Sequence, residues 1–149
     1  ISFIGLRFFT VYGEWGRPDM FMMKYLSSSY NKKINFYLNN YGKHTRDFTY
    51  ILDACKIISE LVFTKKKLNH EIFNICSNNP KKLTDIIKKI NFLTQKKPIL
   101  FKRKLQKADV VKTHGTNKKI KNFIGSQDFT SIDRGLKITV EWFKNYYKI

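Results

Sequence analysis

Two arginines carry the plainest chemistry in this sequence. Arg17 lies in the stretch 13–18, GEWGRP, whose two glycines and proline make it a loop. The loop directly follows a dense apolar run, and in open α/β sheets ligands collect beyond the carboxyl ends of such strands. A guanidinium there, with the Thr10 hydroxyl, can hold a carboxylate through charge-assisted hydrogen bonds. Arg46 sits beside the turn Asn39-Asn40-Tyr41-Gly42 and immediately before a strand. Its fixed, planar charge serves either an anionic ligand or the adjacent Asp47. No metal site is expected, because Cys55 and Cys76 lack a second cysteine or histidine at ligand spacing, and His44, His70 and His114 lie far apart. Two cysteines allow one pair and no disulfide framework, so the reading is a cytoplasmic protein with reduced, partly buried thiols.

The elements that would position these residues follow from periodicity. Residues 3–12, FIGLRFFTVY, read as one strand buried on both faces, as in a parallel sheet. A short helix runs from Met20 towards Tyr30. Strands at 34–38 and 47–51 flank the Asn-Asn-Tyr-Gly turn, which is a hairpin signal. Ala54, Ile57, Ile58, Leu61 and Val62 recur at helical spacing, the lysine run at 65–67 is a loop, and 71–76 alternates like a strand. Thr84 is placed to cap a helix with Ile86, Ile87, Ile90 and Leu93 on its inner face. After a short strand at 98–102, Thr116 is placed to cap a helix stopped by Gly125. Thr130 with Asp133 opens the last helix, whose stripe is Ile132, Leu136, Val140, Phe143 and Tyr147. The pattern is α/β.

The 149 residues are 42% hydrophobic and 15% aromatic, enough for one core and too apolar for a disordered chain. The longest apolar stretches, such as 57–63, fall far short of the ~18–20 residues of a membrane helix, so no membrane association is expected. Lys plus Arg number 29 against 11 acids, for a net charge of +18, the footprint of an anion-binding surface. Only five of the 29 are arginines, and the lysines are scattered in pairs and triples along the whole chain. That spread is a surface bias rather than a binding stripe, and no nucleic acid is expected as partner. A strand buried on both faces needs neighbours that nothing before Ile1 supplies. The expectation is therefore a C-terminal piece of a longer protein.

Residues 5–20, GLRFFTVYGEWGRPDM, with RDFTYI at 46–51, QKADV at 106–110 and the closing EWFK at 141–144, resemble the extended short-chain dehydrogenase family, and within it the UDP-glucuronate 4-epimerases. The resemblance runs over the whole chain, in order. It implies the last strands of a Rossmann-type parallel sheet plus a small mixed α/β substrate-binding lobe, with the dinucleotide-binding half upstream. It implies NAD as cofactor, bound mainly by that other half, a UDP-sugar as substrate, and a homodimeric parent.

Residue by residue, the resemblance gives Thr10 and Arg17 to the sugar carboxylate, and Asp19 and Met20 to the corner against the nucleotide. Tyr37, with Asn35 on the alternate side of the short strand, falls where the family cradles uracil. Arg46 falls where it neutralises the diphosphate, and Asp109 where an acid bonds the ribose hydroxyls. The Phe8 main chain falls where the strand end faces the nicotinamide, its side chain being core. The family's reaction also needs a Gly-rich loop and a Tyr-x-x-x-Lys pair, in which the tyrosine takes the C4 hydroxyl proton while NAD takes the hydride. No tyrosine here has lysine four residues on, and Gly13 and Gly16 lack a third member. The departures are Glu14 for a proline, Leu52 for the first of two acids, Gln106 for an arginine, and Gly115 where an acid is usual. Three other readings stay open: another UDP-sugar epimerase, dehydratase or decarboxylase; a basic nucleic-acid-binding module; and a non-functional relic with an exposed apolar strand.

Overall fold

The computed structural model describes residues 3–66 and 69–149; Lys67 of the lysine run lies outside them. The apolar run at 3–12 forms two strands, β1 (Ile4–Phe8) and β2 (Thr10–Tyr12), which meet at Phe9. There the chain changes neighbours. β1 pairs in parallel with β6 (Glu71–Ile75), from Ile4 opposite Glu71 to Phe8 opposite Ile75. β2 pairs in parallel with β5 (Phe48–Tyr50), Thr10 lying opposite Phe48. The Phe9 N–H still donates to the Ile75 carbonyl at 3.1 Å, and the Thr10 N–H donates to the Asp47 carbonyl at 3.1 Å.

The strand is not buried on both faces as expected. Among the described residues only β6 flanks β1, whose residues Ile4 to Leu6 are partly buried, and Phe8, expected in the core, is 50% exposed.

The hairpin is also corrected. Asn40, Tyr41 and Gly42 take left-handed backbone angles, with φ of 47°, 51° and 79°, and turn the chain from one pairing into another. β3 (Phe36–Leu38) before the turn lies parallel to β8 (Leu100–Lys102). β4 (Thr45–Arg46) after it lies antiparallel to β7 (Lys81–Lys82). The turn is tied to the end of β8, since Tyr41 donates to the Arg103 carbonyl and Arg103 to that of Leu38. A tight hairpin needs its two arms to pair with each other; here each arm has a better partner far along the chain.

Among the described residues, five α-helices cover these strands. α1 (Phe21–Tyr30), α3 (Leu83–Thr94) and α5 (Ile132–Tyr147) bury Tyr25 and Leu26, Ile86 and Ile90, and Leu136 and Phe143 against β2, β3 and β5. α2 (Ile51–Phe63) and α4 (Lys118–Ile124) close a second cluster of Ala54, Ile57, Phe73, Ile75 and Ile120. Each such aliphatic side chain contributes roughly 1.5–3 kcal/mol on burial. Val62 and Tyr147 continue their helical stripes past the point where the partner surface ends, and both are exposed.

Three expected caps lie one or two residues off. Thr84 is inside the first turn of α3, after an N-cap at Lys82 with no side-chain bond. Asn117 rather than Thr116 precedes α4, and its amide donates instead to the Cys76 carbonyl. Ser131 caps α5 by accepting from the Arg134 N–H, because Thr130 is engaged by the Asp53 carboxylate through both its N–H and hydroxyl at 2.8 Å. Gly125 does end α4, with φ of 93°.

Asp47 joins the two halves of the core. Its carboxylate is fully buried and accepts from the Ser77 N–H (3.1 Å) and hydroxyl (2.7 Å), the Asn78 N–H (3.1 Å) and the Gly115 N–H (3.3 Å). It is thus not the counter-ion of Arg46. Gly115 fits for the same reason, since a Cβ there would come within 2.5 Å of the Phe9 ring and 2.7 Å of the Cys76 sulfur. Replacing Asp47 by Ala leaves buried donors unpaired, each at a cost of roughly 1–3 kcal/mol. Urea unfolding of Asp47→Ala is expected to show a loss of at least about 3 kcal/mol; a change below about 1 kcal/mol would remove Asp47 from this role.

Candidate functional site

The cavity that gathers most of the polar candidates has a volume of about 310 Å³ and is bounded by Thr10, Asp19, Met20, Tyr37, Arg46 and Asp109. Their neighbourhood is a product of pairing. β4 is flanked on one side by β7 and on the other by the segment after Asp109, where Thr45 donates to the Val111 carbonyl and accepts from the Thr113 N–H, both at 3.0 Å. That strip brings Asp109 to Arg46 across more than sixty residues of sequence.

The Arg46 guanidinium is held from behind. Its Nη1 donates to the carbonyls of Thr45 (3.0 Å) and Val111 (3.2 Å), which fixes the plane of the fork. Burial lowers its pKa and the Asp109 carboxylate opposes that shift, so the guanidinium remains a full positive charge in a partly desolvated wall.

Tyr37 points away from the core while its neighbours Phe36 and Leu38 point in. One face of its ring is covered by the Arg103 guanidinium, 3.5 Å from the ring centroid, and Phe101 lies beside it at 5.5 Å. Arg103 was missed from sequence because only the β3–β8 register places it there. Asn35 is exposed and does not border the cavity.

A second, more apolar cavity of about 490 Å³ lies on the other side of Met20, which borders both. Its wall includes Phe8, Val11, Gly13, Arg17, Ile51 and Ile58. Arg17 and Thr10 therefore face different cavities. The Arg17 fork is filled by Asp19, through Nε to Oδ1 at 3.1 Å and Nη2 to Oδ2 at 2.7 Å. That bidentate pair is exposed, and the Arg17 hydrogen bonds hold the Asp19 carboxyl below its usual pKa.

The loop carrying Arg17 is anchored by the residues that departed from the family pattern or went unassigned. Tyr50 donates to the Glu14 carboxylate at 2.8–2.9 Å. Burial first, and Glu14 next, push the Tyr50 hydroxyl up to about 12. Trp15, in the left-handed region at φ 58°, packs its ring 5.2 Å from Trp142 and 5.0 Å from Tyr146 on α5. Neither contact was legible in the loop's own sequence.

His44 also borders the polar cavity and is buried. Its Nε2 lies 3.9 Å from Asp109 Oδ2, and neither atom has a hydrogen-bond partner among the described residues. Metal-ligand spacing in the sequence does not reveal it, because its neighbour is a carboxylate on a distant loop. The thiols also differ from expectation. Cys76 is wholly buried and raised to about 11 by burial and Asp47, whereas Cys55 is exposed at the rim of the apolar cavity.

Burial, then the nearby Arg46 charge, lower the His44 pKa, with Asp109 acting against them. A folded-state value below the unfolded ~6.5 means that the unfolded chain binds the proton more readily. The stability that depends on neutral His44 is therefore complete above about pH 7 and is lost as pH falls through the folded-state value. Urea unfolding at about pH 7.5 and 5.5 should show a smaller acid loss in His44→Gln than in the parent chain. Equal losses would show that His44 is not responsible.

The model of the NAD dependent epimerase/dehydratase family matches residues 1–76. An uncharacterized protein of Methanocaldococcus jannaschii, MJ1055, is 40% identical over 144 residues, covering 96% of this chain and 43% of its own. The UDP-glucuronate 4-epimerase of Thermodesulfobacterium geofontis is 36% identical over 140 residues, covering 93% of this chain and 42% of its own. The crystal structure of the UDP-glucuronic acid 4-epimerase from Bacillus cereus, in complex with UDP-glucuronic acid and NAD, superimposes with a TM-score of 0.85 at 27% identity, over 95% of this chain and 45% of that one. The chain thus spans less than half the length of each of these relatives. The mixed α/β arrangement with parallel strands is that of the Rossmann-type epimerases.

Proposed function

Since the chain belongs to the NAD dependent epimerase/dehydratase family, we propose that it is the substrate-binding lobe of a UDP-sugar 4-epimerase that interconverts UDP-glucuronate and UDP-galacturonate. The dinucleotide-binding half and the Tyr-x-x-x-Lys pair then belong to the rest of the protein. The observation that carries this reading is the cavity in which Arg46, Asp109, Tyr37, Asp19, Met20 and Thr10 meet. A guanidinium braced by two carbonyls suits a diphosphate, a carboxylate suits paired ribose hydroxyls, and an aromatic ring suits a flat base.

NAD would meet this chain at the second cavity. The wall of Phe8, Val11, Ile51 and Ile58 is apolar and fits a nicotinamide ring, with Arg17 the charged residue beside it. When bound, NAD would take a hydride from the sugar and return it. The part left to this chain is to hold the UDP group so that the sugar reaches from the polar cavity past Met20. The likeness to enzymes crystallised with UDP-glucuronic acid supports glucuronate. The Arg17–Asp19 pair favours a second reading, another UDP-sugar, because the fork that would take the carboxylate already has one.

Calorimetric titration with UDP, UDP-glucuronate and UDP-glucose separates these readings. Saturable UDP binding is expected, weakened by on the order of tenfold or more in Arg46→Ala, since charge-assisted bonds are worth roughly 1.5–3 kcal/mol. Tighter binding of UDP-glucuronate than UDP-glucose, abolished in Arg17→Ala, supports glucuronate; equal binding of the two supports the second reading. A folded chain that binds no UDP overturns both.

A further inference from the structure

His44 and Asp109 present an unsatisfied donor-acceptor pair in the wall of the polar cavity. His44 Nε2 and Asp109 Oδ2 are both sealed from solvent, both without a hydrogen-bond partner among the described residues, and 3.9 Å apart. A buried polar atom without a partner costs roughly 1–3 kcal/mol. A neutral imidazole carries one N–H, and a carboxylate oxygen accepts. Closing the gap by about 1 Å gives a hydrogen bond of ordinary length that satisfies both atoms at once.

Two features decide which partner moves. The His44 main chain is fixed, because its carbonyl accepts from the Leu83 N–H at the start of α3 at 2.9 Å. Asp109 is held by a turn, its N–H donating to the Gln106 carbonyl at 3.0 Å, and its side chain keeps 27% of its surface open. The Arg46 guanidinium, whose charge is felt by Asp109, has Nη1 bound to main-chain carbonyls and makes no hydrogen bond to Asp109 Oδ2 among the described residues.

We infer that His44 is a positioning residue: it takes Oδ2 of Asp109 and so keeps the other carboxylate oxygen turned to the cavity to accept from a ligand hydroxyl. The inference rests on the reading that Asp109 bonds the ribose. It makes His44 a determinant of selectivity for ribonucleotides over deoxyribonucleotides, acting through Asp109. A freely rotating carboxylate would discriminate less, because its two oxygens would share the bond among several orientations.

The test is the affinity ratio of UDP to 2′-deoxy-UDP and 3′-deoxy-UDP, measured by calorimetry on the full chain. The parent chain is expected to bind at least one deoxy analogue about tenfold more weakly, the effect of roughly 1.4 kcal/mol for a lost hydrogen bond to a charged group. His44→Leu is expected to bring that ratio to within about twofold of unity, and His44→Gln, whose amide can donate from a similar place, to restore it. In an Asp109→Asn background His44→Leu should add nothing. A merely structural role for His44 would weaken all three ligands together and leave the ratio unchanged, which overturns the inference. A ratio that collapses in Asp109→Asn but survives in His44→Leu also overturns it while sparing the nucleotide reading. A ratio near unity in the parent chain, or one that survives in Asp109→Asn, removes the ribose contact, and the inference with it. Retention of the ratio by a folded His44→Leu chain, as judged by its thermal unfolding, is decisive against it; a variant that fails to fold shifts the decision to His44→Gln, whose loss of the ratio overturns it equally.

Discussion

The buried carboxylate of Asp47 is the constraint on which the rest of the arrangement depends. It sits at the junction between β4 and β5 and takes donors from Ser77 and Asn78 after β6 and from Gly115 before α4. Those segments belong to both hydrophobic clusters, so one charged group sets their relation. A carboxylate taken out of water is tolerated only when its lone pairs are filled, and here four donors fill them. Gly115 is drawn in as part of the same arrangement, since only a residue without Cβ lets the main chain pass between Phe9 and Cys76. The consequence for the site is direct: with Asp47 turned inward, Arg46 on the neighbouring position faces outward into the polar cavity.

The cavity itself is made by strand pairing more than by any local motif. β4 holds Arg46 against the segment that carries Asp109, and β3 holds Tyr37 against β8. Each of these groups is supported by a different contact. Arg46 is braced by two carbonyls, Tyr37 is covered by Arg103, and His44 is tied to α3. The loop between β2 and α1 is managed differently. Glu14 and Trp15 lock it to β5 and α5, while Arg17 and Asp19 neutralise each other at its exposed tip. The polar cavity is thus built on strands and the Arg17 corner on a loop, and loops tolerate change better than the elements they connect.

The family resemblance in the sequence drew together residues that border one cavity, whereas the pattern of elements did not give the strand partners. Arg46, Asp109, Tyr37, Asp19, Met20 and Thr10 are far apart in the chain yet border one cavity. Phe8 and Arg17 border the neighbouring one, and Asn35 borders neither. The motif supplied the residues, whereas the separation of Thr10 from Arg17 depends on Met20 standing between two cavities. Nothing in the spacing of Thr10 and Arg17 encodes that wall.

What the sequence alone determined is the set of elements with strong periodicity and the family to which they belong. α2, α3 and α5 lie where the apolar spacing put them, because a helix buries one stripe whatever its neighbours are. The tertiary structure alone decided the strand partners, the caps and the pairing of charges. The Asn-Asn-Tyr-Gly turn has hairpin chemistry, yet its arms pair elsewhere, because pairing energy is set by register with distant strands. Thr130 has capping chemistry, yet Asp53 claims it and Ser131 serves. Asp109 stands out in the sequence through the family resemblance and His44 does not, and the two come within 3.9 Å only because β4 lies beside the segment that follows Asp109. A side chain's periodicity is a local property, but the partner of a polar group is decided by what the fold places within hydrogen-bonding reach.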